Sequence, residues 1–364
     1  ENAIVAVVGC YAQTAPAELM QVEGVNLVIG TKDRAQIVEM VEQYDKNNGV
    51  ENHVTDIMKE RVFEPLSIQK LANRTRAYLK IQDGCSQYCS YCIIPYARGP
   101  IRSREPKEVL AEVRRLAENG FKEVVLTGIH IASYGKDRKD TSLLEILKQV
   151  HEVAGIERIR FSSIEPNVVT EEFARTIAEL PKVGDHFHLS LQSGCDKTLK
   201  EMNRRYDAEK YRQAAALLRQ YLPRVALTTD IIVGFPGETE EDFQESYAFA
   251  KEIGFAKIHV FPYSPKRGTP AAARKDQLPN AVKADRSHRL IALSDKMAAD
   301  FLAAYVGQEV EVLYEKAVAD GVYEGHTTNY IRVRGSSTQD LRNRIVKTRI
   351  RKAEAEELFG EAQV

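Results

Sequence analysis

The chain has 364 residues, of which 43% are hydrophobic, and a formal net charge of −1 at pH 7. This length favours two or three domains over a single core. The nearly neutral charge gives no overall sign of a nucleic-acid-binding protein, and the longest apolar runs have only the length of strands, which argues against a transmembrane span.

Residues 1–50 predict a small α/β unit. The apolar stretch 3–8 and residues 25–29 predict strands, and Asp33–Tyr44 predicts a helix. Because the chain opens without Met and runs directly into a buried strand, we expect residues upstream of it to be missing. The polar residues that follow Asn-Asn-Gly predict a linker over 51–73.

A regular alternation of strands and helices then predicts one domain over 74–304. Six β-α units in series predict a parallel sheet with helices outside, either a barrel or an open section of one. The predicted strands are Tyr78–Gln82, Glu123–Thr127, Arg158–Ser162, Phe187–Leu191, Ala226–Val233 and Lys257–Phe261. The predicted helices are Pro106–Asn119, Leu143–Val153, Thr170–Leu180, Glu209–Leu222, Thr239–Ile253 and Ala281–Tyr305.

Three cysteines follow the first of these strands with the spacing C-x3-C-x2-C, at Cys85, Cys89 and Cys92. Three thiolates on one loop can hold three irons of a [4Fe–4S] cluster and leave one iron without a protein ligand. An open metal position is typical of catalytic sites. Structural zinc needs a fourth ligand, and no His lies between Glu60 and Ile129. Five cysteines, an odd number, argue against disulfides and favour a reducing cytoplasm.

Polar residues and glycines lie just after several predicted strands. Because functional residues of such barrels lie at the carboxyl ends of strands, we expect them to converge on one rim. The candidate ligand-binding residues are Tyr91, Gly128, Glu165, Gln192, Asp230 and Gly234. Tyr91 could equally pack in the core, and the glycines could equally serve tight turns. Cys195 is interpreted as a bystander and His188 as structural.

Residues 305–364 predict a small all-β module. Short strands are predicted at Glu309–Tyr314, Val322–His326 and Tyr330–Val333. Lys347, Arg349 and Arg351 alternate near its end, and alternate residues of a strand share a face. We therefore predict that these three contact RNA phosphates. The alternative is a solvated charged tail. A second basic group follows the cysteines, at Arg98, Arg102 and Arg104.

Several segments resemble the methylthiotransferase family of radical SAM enzymes, over nearly the whole chain. They are Asp83–Arg104, Ser190–Gly194, Met202–Arg204, Asp230–Glu238 and His259–Thr269. The C-terminal strands, with Gly325–Tyr330, resemble the TRAM domain, a small RNA-binding barrel. The resemblance implies an α/β fold: a radical SAM partial (β/α)6 barrel, preceded by the remnant of an α/β N-terminal domain and followed by a TRAM barrel.

The resemblance also implies the cofactors and the reaction. Cys85, Cys89 and Cys92 would hold a [4Fe–4S] cluster whose open iron binds S-adenosylmethionine, and reductive cleavage would give a 5′-deoxyadenosyl radical. Family members carry a second cluster on three N-terminal cysteines; Cys10 matches the third, and the first two are absent here. A second S-adenosylmethionine would methylate a sulfur of that cluster, and the radical would take hydrogen from C2 of adenine.

Leu126–Gly135 resembles one branch of the family, which converts N6-threonylcarbamoyladenosine next to the anticodon of tRNA to its 2-methylthio derivative. Sister branches act on isopentenyladenosine in tRNA or on an aspartate of a ribosomal protein. An RNA-binding protein with a structural Fe–S centre is the alternative from another class. The expected partners are tRNA and an electron donor such as flavodoxin or ferredoxin. We expect a cytoplasmic monomer without membrane contact.

Overall fold

The computed structural model describes residues 3–45, 49–65 and 75–364 of the chain. The strands form a small three-stranded sheet, a longer parallel sheet in two sections and a closed barrel, in that order along the chain. Part of the predicted linker and Arg74, the first residue of the predicted barrel domain, lie outside the described residues. The division into domains stays a prediction.

The first unit is a parallel sheet in the order β1-β2-β3 with short helices beside it. Its elements are β1 (Ala6–Val8), α1 (Cys10–Thr14), α2 (Pro16–Leu19), β2 (Leu27–Ile29), α3 (Ile37–Gln43) and β3 (Glu51–His53). Both predicted strands and the predicted helix are present, with shorter bounds. The strand β3 was not predicted and falls inside the predicted linker. Its residues Glu-Asn-His carry no apolar alternation, so only pairing with β2 reveals them as a strand.

Six parallel strands follow in sequential order, and all six were predicted. They are β4 (Arg76–Asp83), β6 (Glu123–Gly128), β7 (Arg158–Phe161), β8 (His186–His188), β9 (Ala226–Val233) and β10 (Lys257–Pro262). A short strand, β5 (Arg102–Ser103), pairs antiparallel with β4. Single bridges from Ile159 to Val183 and from Ile164 to Leu189 join the section β4-β6-β7 to the section β8-β9-β10. Within 75–364, β4 and β10 do not pair with each other, so the barrel stays open.

Helices pack on the outer side of these strands. They are α5 (Pro106–Glu118), α6 (Leu143–His151), α7 (Glu171–Ala178), α9 (Ala208–Tyr221), α10 (Glu240–Ile253) and α11 (Asn280–Ala303). Two short helices, α4 (Ile94–Arg98) and α8 (Asp196–Glu201), lie in loops that follow strands. The main core forms between their apolar faces and the outward residues of the strands, such as Val113 of α5 and Leu79 of β4. The opposite side chains of the strands face the lumen.

Five strands close a barrel at the C-terminal end, in the order β11-β12-β13-β15-β14. They are β11 (Glu309–Ala319), β12 (Val322–Thr327), β13 (Arg332–Ser336), β14 (Arg344–Glu354) and β15 (Glu357–Ala362). The strand β15 was not predicted, whereas β14 has the strand spacing that was predicted for Lys347, Arg349 and Arg351. Within the part of the chain that the structure describes, no helix combines the length and apolar character needed to cross a membrane.

Candidate active site

Three cysteines lie on the loop that follows β4, at the carboxyl end of the first parallel strand. Gly84 opens this loop with φ +72°, and a Cβ here would lie 2.8 Å from the Gly99 carbonyl oxygen. Only glycine tolerates both the backbone conformation and the close approach. The Cys85 amide donates to the Gly99 carbonyl (3.0 Å), and the Cys92 amide donates to the Cys89 carbonyl (3.0 Å). The loop therefore folds back on itself and gathers the three thiols.

All five cysteines of the chain are free, and the three on this loop are half-buried. Burial, together with the neighbouring thiols Cys89 and Cys92, raises the pKa of Cys85 to about 11. Burial also raises the pKa of Cys92. A bound cation such as iron would favour the thiolate forms of Cys85 and Cys92, which burial disfavours. This donor set fits a [4Fe–4S] cluster that keeps one iron free of protein ligands.

Arg204 connects the cysteine loop to the end of β7. Its guanidinium donates to the Cys89 sulfur (3.1 Å), to the Tyr206 hydroxyl (2.9 Å) and to Glu165 (2.8 Å). The other Glu165 oxygen lies 3.3 Å from His130 Nε2. Burial opposes the charge, but the His130 hydrogen bond and the Arg204 charge lower the pKa of Glu165 below its usual range. Glu165, a candidate ligand-binding residue, thus holds two neighbouring side chains in place.

Gly128 owes its identity to a contact inside the protein. A Cβ at this position would lie 2.7 Å from the Gln82 side-chain oxygen. The Gln82 amide group donates to the carbonyls of Asp83 and Gly84, both at 2.7 Å, and its oxygen accepts from the His130 amide (2.8 Å). Because Gly128 has no side chain, Gln82 has room to form hydrogen bonds with the residues that open the cysteine loop. Contact of Gly128 with a cofactor stays a prediction.

Tyr91 packs against protein side chains. Its ring lies edge-on to Phe235, with centroids 6.5 Å apart, in a small cluster that includes Met202 and Tyr263. Burial raises the pKa of Tyr91 well above its usual range. A Cβ on the next candidate, Gly234, would lie 2.5 Å from the Lys283 side chain, and this residue has φ +70°. Both residues therefore have structural reasons for their identity, and their contact with a ligand stays a prediction.

Gln192 and Asp230 face the lumen side by side. The Gln192 amide donates to the Asp230 carbonyl (2.9 Å), and Gln192 has φ +70°, which is unfavourable for a residue with a side chain. No hydrogen bond from a described residue reaches the half-buried Gln192 side chain. The side-chain amide of Gln192 is therefore available to a ligand. Asp230 Oδ2 lies 3.3 Å from His188 Nε2, so His188 has a polar partner within the protein, and its structural role stays a prediction.

Cys10 begins α1, and its sulfur accepts from Arg98 Nε at 3.1 Å. Because Arg98 ends α4, which follows the cysteine loop, the first unit packs beside that loop. Cys195 lies apart, fully buried, with its sulfur 3.6 Å from Asp242, as expected of a bystander. Arg102 and Arg104 are buried, at 3% and 5% exposure. The idea that these two arginines form an accessible basic group was wrong, because each faces carboxylates: Asp83 for Arg102 and Glu112 for Arg104.

Lys347, Arg349 and Arg351 lie on β14, where they alternate with the buried residues Val346, Thr348 and Ile350. The three cations therefore share the exposed face of one strand. Lys347 lies 3.5 Å from Glu309, and Arg351 lies 2.8 Å from Glu361. Exposed pairs of this kind are weak, so both side chains can exchange their partner for a phosphate. Their contact with RNA stays a prediction.

Residues 79–250 match the family model of the Radical SAM superfamily. The chain is 44% identical over 357 residues to the Threonylcarbamoyladenosine tRNA methylthiotransferase MtaB of Bacillus subtilis (strain 168). The aligned region covers 97% of this chain and 79% of that protein. It is 36% identical over 370 residues to the tRNA-2-methylthio-N(6)-dimethylallyladenosine synthase of Clostridium botulinum (strain ATCC 19397 / Type A), covering 99% and 81% of the two chains.

Among solved structures, the chain is similar to the cobalamin-dependent S-adenosylmethionine radical enzyme OxsB with aqua-cobalamin and S-adenosylmethionine bound. The TM-score is 0.51 at 12% sequence identity, covering 79% of this chain and 43% of that chain. This likeness supports the fold alone. The sequence relationship extends over all three units, from the first sheet to the C-terminal barrel. The chain therefore belongs to the methylthiotransferase family of radical SAM enzymes.

Proposed function

We propose that this enzyme is a tRNA methylthiotransferase that converts N6-threonylcarbamoyladenosine next to the anticodon to its 2-methylthio derivative. The observation that carries this proposal is the group of three free thiols at the carboxyl end of β4. The chain in which they lie is 44% identical to an enzyme named for threonylcarbamoyladenosine in tRNA. The branch that acts on dimethylallyladenosine is the alternative within the family, at 36% identity.

Cys85, Cys89 and Cys92 would hold a [4Fe–4S] cluster, which when bound would supply the electron for reductive cleavage of S-adenosylmethionine. The protein holds and orients the reactants. Arg204 donates to the Cys89 sulfur and so stabilises its negative charge. Gln192 offers a free amide in the lumen, where it would bind polar groups of S-adenosylmethionine.

A second cluster would deliver the sulfur, and Cys10 is the residue that we propose as one of its ligands. Its contact with Arg98, which ends α4 after the cysteine loop, places Cys10 beside that loop. A cubane cluster needs at least three thiolates. Cys10 has no such partners among the other four cysteines, since three belong to the loop after β4 and Cys195 is buried beside Asp242.

The C-terminal barrel would hold the tRNA through the exposed face of Lys347, Arg349 and Arg351. Reduction of the cluster requires a small electron-transfer protein such as flavodoxin or ferredoxin. Thiols that bind iron must stay reduced, so we place the enzyme in the cytoplasm. A monomer suffices for the chemistry, because the three loop cysteines and the proposed RNA-binding face belong to one chain.

Nucleoside mass spectrometry of tRNA tests this function. A strain that lacks the gene should lose 2-methylthio-N6-threonylcarbamoyladenosine, and its tRNA should accumulate N6-threonylcarbamoyladenosine. The gene carried on a plasmid should restore the modification, whereas the same gene with Cys89→Ala should not. Loss of 2-methylthio-N6-isopentenyladenosine in its place would assign the chain to the sister branch. Unchanged tRNA nucleosides would refute a role in tRNA modification.

A further inference from the structure

A cavity of about 330 Å³ opens on the lumen side of β8, β9 and β10, next to the segment 326–332 of the C-terminal barrel, and apolar residues such as Leu302 and Ile331 form much of its lining. Two histidines on the same face of β8, His186 and His188, line it together with Thr228 and His259. The Thr228 hydroxyl lies 3.0 Å from His186 Nε2 and 3.1 Å from His188 Nδ1. A cavity of this volume suits a small organic group.

Three polar side chains from three neighbouring strands meet at its edge. One donor or acceptor atom of each of His188, Asp230 and His259 lies within 4.8 Å of the other two. The two imidazole rings stack with centroids 5.7 Å apart. Burial and the proximity of His188 lower the pKa of His259. A neutral imidazole offers one donor and one acceptor, so these side chains present both kinds of hydrogen-bonding atom to the cavity.

The far wall carries cations. Lys257 is already paired with Asp295 and Glu356, at 3.3 and 2.5 Å. Arg332 is exposed and lies 3.8 Å from Glu357, with Glu356 also nearby. Arg332 can therefore neutralise an anionic group that enters the cavity.

Phe261 provides an aromatic surface beside the histidines. It follows His259 by two positions on β10 and so faces the same side, whereas Val260 between them packs on the outer core. The Phe261 side chain is 51% exposed. Exposed aromatic rings on a strand are typical stacking partners of unstacked nucleobases.

The two substituents that distinguish the branches of this family differ in polarity. A threonylcarbamoyl group carries ureido N–H groups, a carbonyl, a hydroxyl and a carboxylate. A dimethylallyl group is entirely apolar, so it can neither form hydrogen bonds with His259 nor pair with Arg332. A site built of hydrogen-bonding groups rejects a ligand that cannot satisfy them.

We propose that this cavity receives the N6-threonylcarbamoyl group of the substrate, with His188 and His259 bonding the substituent, Arg332 facing its carboxylate and Phe261 stacking on the adenine. This inference rests on the proposed function and adds to it the residues that select the substituent. Recognition of the base and recognition of the substituent are then separate, because different side chains perform them.

Binding of three anticodon stem-loop RNAs tests the inference. The RNAs share one sequence and carry N6-threonylcarbamoyladenosine, N6-dimethylallyladenosine or adenosine at the target position. Dissociation constants are measured by fluorescence anisotropy on the anaerobically reconstituted full chain with S-adenosylmethionine. Wild-type protein should prefer the threonylcarbamoyl RNA. His188→Leu/His259→Leu should reduce that preference by about tenfold or more, because leucine cannot form hydrogen bonds to a charged or strongly polar group.

Two further variants separate the contacts. Phe261→Leu should weaken the binding of all three RNAs by a similar factor, since stacking on the base does not depend on the substituent. His288→Leu, an exposed histidine on α11, should change nothing. His259→Gln keeps one hydrogen-bonding group and should retain part of the preference; it decides the question if the double variant does not fold.

An unchanged preference in the histidine variants would overturn the inference. Wild-type protein that methylthiolates the threonylcarbamoyl RNA without binding it better than the adenosine RNA would also overturn it, and would leave the proposed function intact. Unchanged 2-methylthio nucleosides in tRNA from a strain that lacks the gene would count against the proposed function itself. Stoichiometric zinc that binds wild type but not His259→Gln, measured with the three loop cysteines replaced by Ala, would identify His188, Asp230 and His259 as a metal site instead.

Discussion

The two ends of the open barrel differ in whether their polar residues are paired within the protein. At the amino-terminal end, the fully buried Glu123 carboxylate is surrounded by Arg76, Arg158 and Arg160. At the carboxyl end, the thiols of Cys85 and Cys92 and the side-chain amide of Gln192 keep bonding capacity that no described residue uses. Charges that satisfy one another stabilise a structure, whereas groups left with free capacity are ready for a ligand.

The paired end also attaches the C-terminal barrel. Arg158 donates to the carbonyls of His326 and Thr327, at 2.8 and 3.1 Å, and Arg160 donates to Thr327 at 2.7 Å. The Arg160 guanidinium lies over the Tyr330 ring, 4.5 Å from its centroid. One buried carboxylate thus organises arginines that reach two units. The predictions below test the contrast between this paired end and the open end, from the largest expected effect to the smallest.

Loss of any one loop thiol should abolish chemistry and leave folding nearly intact. Cys85→Ala, Cys89→Ala or Cys92→Ala should each reduce 5′-deoxyadenosine formation to background, because two thiolates and a vacant position cannot hold a cluster with one open iron. The product is measured by liquid chromatography after anaerobic reconstitution. Cys195→Ala is the matched control and should keep its activity. If a loop variant still cleaves S-adenosylmethionine, the cluster does not bind at this site.

Glu123→Gln should produce the largest loss of stability. The buried Arg158 and Arg160 would lose their charge partner, and Arg76 would keep only Glu315. Breaking a buried ion pair costs about 3–5 kcal/mol. Equilibrium urea unfolding measures this loss. Glu157→Gln, which removes the exposed pair with Lys122, should cost less than about 1 kcal/mol. If Glu123→Gln also costs less than about 1 kcal/mol, the arginines hold the C-terminal barrel without the Glu123 carboxylate.

Acid should remove the same stabilisation. Burial opposes ionisation, but the three guanidinium groups lower the pKa of Glu123 in the folded protein. A carboxyl group whose pKa is lower when folded stabilises the protein above its unfolded pKa of about 4.3 and loses this effect as the pH falls through the folded pKa. The decline of stability below that pH should therefore be shallower in Glu123→Gln than in wild type. Identical pH profiles would contradict this assignment.

Arg204→Met should weaken the open end without unfolding it. The Cys89 sulfur would no longer have a charged donor, which is worth about 1.5–3 kcal/mol, so S-adenosylmethionine cleavage should fall by about 10- to 100-fold. Removal of the positive charge should also lower the reduction potential of the cluster. Potentiometric titration followed by EPR measures this shift, which a purely structural role would not cause. The exposed neighbour Arg205→Met is the control. An unchanged potential would mean that Arg204 only supports Glu165.

The smallest effect is expected on the surface of the C-terminal barrel. Replacing Lys347, Arg349 and Arg351 by Ala should weaken tRNA binding and flatten its salt dependence, by a slope of roughly 0.7–0.9 for each phosphate that the variant no longer neutralises. Cleavage of S-adenosylmethionine should persist. The control replaces three exposed cations of the outer helices, Lys107, Arg114 and Lys148. If both triple variants bind tRNA alike, this face is not where the RNA lies, and the buried Arg102 and Arg104 cannot replace it.

Much of the fold follows from the sequence alone. The six parallel strands and the spacing of the three cysteines are local patterns, because the alternation of a strand and the length of a loop depend only on neighbouring residues. The same holds for Lys347, Arg349 and Arg351, whose period of two places them on one face before any partner is known. The strand β3 was not predicted because its three polar residues show no alternation of apolar and polar residues.

Tertiary structure alone decided which residues meet. Arg204 contacts a cysteine 115 positions earlier in the chain, and Arg158 reaches a carbonyl 168 positions later. Gly128 is required by Gln82, and three histidine and aspartate side chains meet only because three strands lie side by side. No local pattern specifies such contacts, since each depends on where distant segments pack. The sequence therefore determined the cysteine site, whereas its supporting residues and the proposed substrate cavity required the folded chain.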